Sequence, residues 1–408
     1  FQGVISMGGG FHFVASHWIL YERTESAQSM AWLVISYMLP LLIVNPICGV
    51  LVDRYNRRRL LSIAVGYQMF LDLGLIGLMA SGQFHPSHLF IYAPLMSVGG
   101  ALYGTALPAF LREKLDRSQL LHANSLNTAL MQGGYLLGAG LAGLCYPVLG
   151  AIGSFSVDAF SFAVGLIGWV IIKRWFPDRS QIRQAFQARL GFLREFQAGV
   201  VYAKSNLALF LLALFSLVPA FAAHSVNVLL AGFCKDSLKA GPEGFGLLDM
   251  SYGLGAMLCG LILPACLLRV GLRPWLPTLA ILFGATATCM LSFSDTVVTA
   301  MCWMTFFALA THVAGIITST TLQKNCEERM MGRVTSLVSM LKFLVAPVLV
   351  WVLGRFADGA KGSLIHQDPL RDGFVAVSVF NLTLATISLF VVYPFLRRTL
   401  KKPSDSFH

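Results

Sequence analysis

Twelve apolar runs punctuate the chain, at residues 1–20, 30–52, 60–80, 89–111, 123–144, 152–172, 207–233, 245–268, 276–293, 297–318, 334–354 and 374–396. Most reach the about 20 residues that carry a helix across a hydrocarbon core about 30 Å thick. Unpaired backbone is not tolerated in lipid, so each run is predicted as a helix. The short alternating strands of a large barrel are not part of the pattern. The longest polar interval, residues 173–206, divides the runs into two sets of six. Within it Phe186, Leu190, Phe192, Leu193 and Phe196 alternate with Gln187, Arg189, Arg194 and Glu195, a stretch that suits an amphipathic helix lying in the interface. The expected fold is an all-α membrane protein of twelve transmembrane helices in two pseudo-symmetric six-helix halves. Its expected parts are residues 1–172, a cytoplasmic linker at 173–206, residues 207–396 and a cytoplasmic tail at 397–408. Apolar sequence opens at Phe1, so the first helix is expected to be truncated at its start.

A weak internal repeat supports the two halves. Leu111/Leu322, Asp116/Glu327, Ser125/Ser336, Leu126/Leu337 and Leu130/Leu341 match at one constant offset of 211 positions. That offset is about half the chain, as duplication of a six-helix unit requires.

Composition agrees. Only 12% of the residues are charged, about half the share usual in soluble domains. The net charge of +11 would otherwise suggest a nucleic-acid partner, but here the basic residues collect in particular loops. With the N-terminus inside, 23 of the 30 Lys and Arg fall on the cytoplasmic side. Both termini are therefore expected in the cytoplasm, and no nucleic acid is expected as a partner. The eight cysteines are scattered, mostly in apolar runs, and are read as packing residues.

The densest charge lies between the second and third runs, in the segment Gly49, Val50, Leu51, Val52, Asp53, Arg54, Tyr55, Asn56, Arg57, Arg58, Arg59. A membrane hairpin tolerates that junction, with its charges in water. In this position the segment resembles the signature loop of the major facilitator superfamily. The branch of macrolide-efflux proteins and enterobactin-type siderophore exporters fits best. It is carried by Leu120-Leu121-His122-Ala123-Asn124-Ser125-Leu126, by Val157-Asp158-Ala159-Phe160-Ser161-Phe162 and by Met331-Gly332-Arg333-Val334. The superfamily's lysophospholipid transporters share the Ala-Asn-x-Leu element and stay open as an alternative. Helix five reads Gly134-Tyr135-Leu136-Leu137-Gly138-Ala139-Gly140, with Ala139 where the antiporter motif carries proline. The resemblance implies an inner gate at Gly49, Asp53, Arg54, Arg57, Arg112 and Arg333. In it Asp53 would pair with a helix N-terminus or an arginine of the other half.

Ionisable groups inside spans are expensive and face a cavity or a partner. Asp72, Asp158, Asp249 and Lys342 form that set. Lys342 lies about 12–17 Å into its helix at 1.5 Å per residue, near the midplane. It calls for either an acidic partner or an anionic substrate. His17, His224 and His312 are candidate proton carriers or bonded core histidines. Asn45, Gln132 and Asn227 are candidate cavity contacts or interhelical hydrogen bonds. No phosphate loop, catalytic triad or metal motif is present, so neither an enzyme nor a cofactor or metal is expected.

The expected function is secondary active transport by alternating access. The expected task is proton-coupled export of a small organic molecule, with an anionic, siderophore-like substrate favoured by Lys342. The expected setting is the bacterial inner membrane, with the protein acting as a monomer. Lysophospholipid flipping, siderophore or metabolite import, and a non-transporting receptor are the alternatives.

Overall fold

The computed structural model describes residues 1–175, 207–271, 273, 275–324, 326, 330–359, 368–388 and 390. The amphipathic stretch around residues 186–196 and the tail at 397–408 lie outside them. The described residues are helical, with no strand among them.

The helices are α1 Gln2–Thr24, α2 Ala27–Met38, α3 Leu41–Arg54, α4 Arg57–Ala80, α5 His88–Lys114 and α6 Arg117–Trp175. There follow α7 Leu207–Phe215, α8 Leu217–Gly232, a π-helical turn Phe233–Ser237, α9 Gly241–Val270, α10 Leu276–Ser292, α11 Val297–Lys324, α12 Met331–Gly359 and α13 Pro369–Ile387. Local chemistry sets their ends. Glu25 closes α1 in the left-handed conformation, at φ 46°, and its N–H bonds the Tyr21 carbonyl. Ser26, Asn56 and Asp368 cap α2, α4 and α13, each side chain accepting from a first-turn N–H. Pro40 separates α2 from α3 because it can neither donate nor pack inside a helix. Gly150, at φ 61°, breaks α6 into two helical stretches.

Nine helical stretches among the described residues are long and apolar enough to cross a membrane, and α10 is a shorter apolar helix. Large apolar side chains such as Ile43, Phe70, Ile91, Phe160, Leu261 and Val298 are exposed. Spread over many helices, they form the outer surface expected against lipid rather than water.

The chain divides into two compact units. The first comprises Phe1–Ala188 and Leu230–Gly253, the second Arg189–Leu229 and Leu254–His408. In the first, Trp169, Phe155, Phe245, Met30 and Leu61 are fully buried. In the second, Phe215, Val218, Ile281, Ala314 and Ala385 pack together.

Small residues set the closest helix approaches in the first unit. A Cβ on Gly134 would strike the Gly3 carbonyl, and one on Gly138 the Met7 carbonyl. One on Gly10 would lie 2.6 Å from the Gly138 carbonyl carbon and 2.7 Å from the Tyr135 oxygen. Thus α1 lies backbone to backbone along the first stretch of α6, where side chains would hold the helices apart. Further along, Gly143 and Gly246 meet in the same way, so the start of α9 packs on α6.

Candidate functional site

The site is built on the face of α1 that carries Gly8 and His12, one turn apart. A Cβ on Gly8 would collide with the Ser161 hydroxyl and lie 2.6 Å from Asp158 Oδ1. Glycine there lets the second stretch of α6 close on α1, which brings Asp158 to His12. Asp72 arrives from α4, Tyr92 from α5 and Tyr37 from α2.

The imidazole is at the centre. His12 Nδ1 lies 3.1 Å from Asp158 Oδ2 and 4.0 Å from Asp72 Oδ1. Its Nε2 lies 2.7 Å from the Tyr37 hydroxyl. The Tyr92 hydroxyl donates to Asp72 Oδ1 and lies 3.2 Å from His12 Nδ1. Ser161 Oγ donates to the Asp158 carbonyl at 2.7 Å and, more weakly, to its Oδ1 at 3.4 Å. Tyr92 stacks on the imidazole at 5.5 Å and Phe155 stands edge-on at 5.7 Å. Both carboxylates are fully buried. The second oxygen of each, Asp72 Oδ2 and Asp158 Oδ2, makes no hydrogen bond among the described residues. Asp158 Oδ2 sits at ion-pair distance from the ring.

Burial and proximity disfavour full ionisation of this cluster. Two ionised carboxylates sealed in an apolar bundle beside a neutral imidazole would carry a large desolvation penalty and repel each other. Taking up one proton relieves both effects. The His12, Asp72 and Asp158 donor atoms all lie within 4.8 Å of one another, close enough for a small cation to be shared among them.

The structure therefore brings together Asp72 and Asp158 from the predicted set and adds His12, Tyr92 and Tyr37. The remaining candidates lie apart. His17 is buried, its Nδ1 2.9 Å from the Phe13 carbonyl, with Phe13 and Phe245 against its ring. Asp249 is buried beside Tyr135 with its Oδ2 unbonded among the described residues. In the second unit, His312 Nδ1 meets the Ala308 carbonyl at 2.8 Å. Lys342 is half-buried on α12, within electrostatic reach of His224 on α8. Asn227 is half-buried, and Asn45 and Gln132 are exposed.

Of the expected inner gate, Gly49 is half-buried on α3, and Asp53, Arg54 and Arg112 are exposed. None of the hydrogen bonds or ion pairs among the described residues uses Asp53. Among the described residues, Glu113 at the end of α5 pairs with Arg57 at the start of α4 and with its neighbour Lys114. The Arg333 side chain lies outside what is described.

A second polar cluster lies at the opposite end of α1. Lys235 Nζ donates to Glu25 Oε1 at 2.7 Å, and the Tyr21 hydroxyl donates to Asp236 Oδ2 at 2.6 Å. Gly232 makes room for the Tyr21 ring. The hydrogen bond and charge of Lys235 hold the Glu25 carboxyl below its ordinary range. The contact is thus intact above that ordinary range and is lost as pH falls through the depressed value. In a carboxyl-carbon NMR titration, Lys235→Ala is expected to return Glu25 to the ordinary range. An unmoved midpoint would show that the pair does not form in solution.

Charged groups buried inside a helical bundle whose outside is apolar define a multi-pass membrane protein of the transporter class. The chain belongs to the transmembrane secretion effector family of the major facilitator superfamily, which matches residues 3–334 and consists of transporters, not enzymes. It is similar to macrolide efflux protein A of Streptococcus pyogenes, 23% identical over 345 residues that cover 83% of each chain. It is also similar to the staphyloferrin A transporter of Staphylococcus aureus (strain NCTC 8325 / PS 47), 21% identical over 99% of this chain and 97% of that one. The solved structure of the nucleoside transporter NupG has the same fold, with a TM-score of 0.71 at 13% identity over 98% of this chain and 99% of that one.

Proposed function

We propose that the protein exports a small organic molecule across the bacterial inner membrane in exchange for protons, with the His12–Asp72–Asp158 cluster carrying the proton. The carrying observation is that cluster: two buried carboxylates and an imidazole inside one helical unit, with two carboxylate oxygens left unbonded. A purely structural ion pair would satisfy its acceptors; a proton carrier must keep a vacancy for its cargo. In this reading the chain has twelve spans, with α1 and α10 counted, α2 and α3 forming one span and α6 forming two about Gly150. Both termini face the cytoplasm, and the monomer works by alternating access of two six-helix halves. Asp53 serves the inner gate when that gate is closed.

Export is supported by the kinship with macrolide efflux protein A. An anionic, siderophore-like cargo is supported by Lys342, which none of the ion pairs among the described residues uses, and by the kinship with the staphyloferrin A transporter. A lone ammonium at membrane depth favours a substrate carboxylate.

Reconstituted vesicles test both parts. A proton gradient is expected to drive substrate the opposite way about tenfold faster than its absence, with the difference abolished by a protonophore. Flux indifferent to the gradient would reject the coupling. Lys342→Ala is expected to weaken transport of anionic substrates about tenfold while sparing neutral ones. Equal effects on both would remove the anion preference.

A further inference from the structure

At the end of α1 remote from Phe1, a cavity of about 770 Å³ opens among four helix ends. It lies beside the last turn of α1, the end of α4, the break of α6 at Gly150 and the start of α9. All four elements belong to the first unit. In a bundle of spanning helices, a level at which four ends meet is a membrane interface, not its midplane. The volume is that of a site for a small organic group.

The lining is chemically mixed. Glu22 and Arg23 come from α1 and Glu243 from α9, while Trp18, Phe84 and Tyr146 supply aromatic faces. None of the ion pairs or hydrogen bonds among the described residues uses the charged ends of Glu22, Arg23 or Glu243. Immediately beside them the apolar side chains of Val148, Leu149 and Ile152 stand out from the protein, Val148 with 88% of its surface exposed. A solvated pocket for a free polar solute would have no use for that apolar lip.

We propose that this cavity seats the headgroup of a phospholipid that carries both a primary ammonium and a phosphate. Glu22 and Glu243 hold the ammonium by charge-assisted hydrogen bonds, Arg23 holds the phosphate, and the glycerol and upper acyl chain lie over Val148, Leu149 and Ile152. The aromatic rings flank the headgroup at the level where Trp and Tyr gather in membrane proteins. Two carboxylates exclude a headgroup that is only anionic. Because Glu22 and Glu243 come from α1 and α9, an ammonium between them ties the start of α9 to α1. The site stands whether or not the cluster at His12 carries protons, since binding alone is measured.

The test purifies the full-length protein from a membrane containing phosphatidylethanolamine and phosphatidylglycerol, then measures the lipids retained by native mass spectrometry. The wild type is expected to retain the ethanolamine lipid about tenfold over its bulk ratio to the glycerol lipid. Glu22→Gln with Glu243→Gln is expected to bring retention back to the bulk ratio, as is Arg23→Gln alone. The two Glu-to-Gln changes are isosteric, Arg23→Gln is at an exposed position, and an unchanged thermal midpoint in detergent certifies the fold of each variant. If wild type and variants retain both lipids at the bulk ratio, the seat does not exist. Soluble glycerophosphoethanolamine is the second probe. Weak displacement of the lipid, needing millimolar concentrations, supports a lipid held at the lip. Displacement as tight as the lipid itself would mean that Val148 and its neighbours contribute nothing, and would overturn the lipid assignment.

Discussion

Asp158→Asn is expected to reduce proton-driven transport by about two orders of magnitude while leaving substrate binding near wild type. The substitution keeps shape and volume and keeps an acceptor for Ser161, but removes the charge 3.1 Å from His12. It also removes one of the carboxylates among which a proton can be shared. Flux through the variant should respond less to an imposed proton gradient, because one of the groups proposed to share the proton is gone. Substrate counterflow, which needs no net proton movement, separates the two roles. Coupling lost with counterflow kept identifies a proton carrier. Both lost together, with a lowered melting temperature, would reduce the cluster to a structural ion pair. Asp72→Asn should behave alike, and the double variant should add little, since the acids act as one group.

Gly10→Ala is expected to destabilise the protein by about 3 kcal/mol or to prevent its folding, whereas Gly9→Ala should be tolerated. The two glycines are adjacent, yet their surroundings are opposite. A methyl group on Gly10 meets the Ala139 nitrogen, the Gly138 carbonyl carbon and the Tyr135 carbonyl, all backbone atoms that cannot rotate away. A methyl group on Gly9 meets nothing within 4 Å, and helical Ala is intrinsically favoured over Gly by about 1 kcal/mol. Thermal unfolding in detergent, followed on the purified variants, decides it. Equal melting temperatures for the two would mean that α1 does not lie against α6 as described.

The membrane class and the buried acids could be read from the chain because each is a local property. An apolar run or a carboxylate inside it is visible in twenty residues. The partner of a buried acid is not, because α1, α4 and α6 are brought together only by packing. His12 is the instructive miss. His17, His224 and His312 are the candidates in the sequence, and His12, between Phe11 and Phe13, is not among them. The usable signal was Gly8, one turn before it on the same face, paired with Asp158 and Ser161 one turn apart on α6. The placement of Leu230–Gly253 in the first unit was likewise beyond reach, since it depends on Phe245 meeting Phe13 and on Gly246 meeting Gly143. The signature loop gave the superfamily correctly, but Asp53 is exposed and nothing nearby says what it would pair with.

The glycine contacts along α1 have a mechanical consequence. Gly3, Met7 and Gly10 are keyed into one stretch of α6, and Gly8 into the other. The first contact is backbone against backbone and the second is backbone against the Asp158 and Ser161 side chains, so sliding or rolling of α1 meets resistance on both sides. In a transport cycle α1 and both stretches of α6 are therefore expected to move together, with His12 and Asp158 kept at the same spacing. On the proposed reading, a change of conformation would then alter access to the His12 cluster rather than the cluster itself.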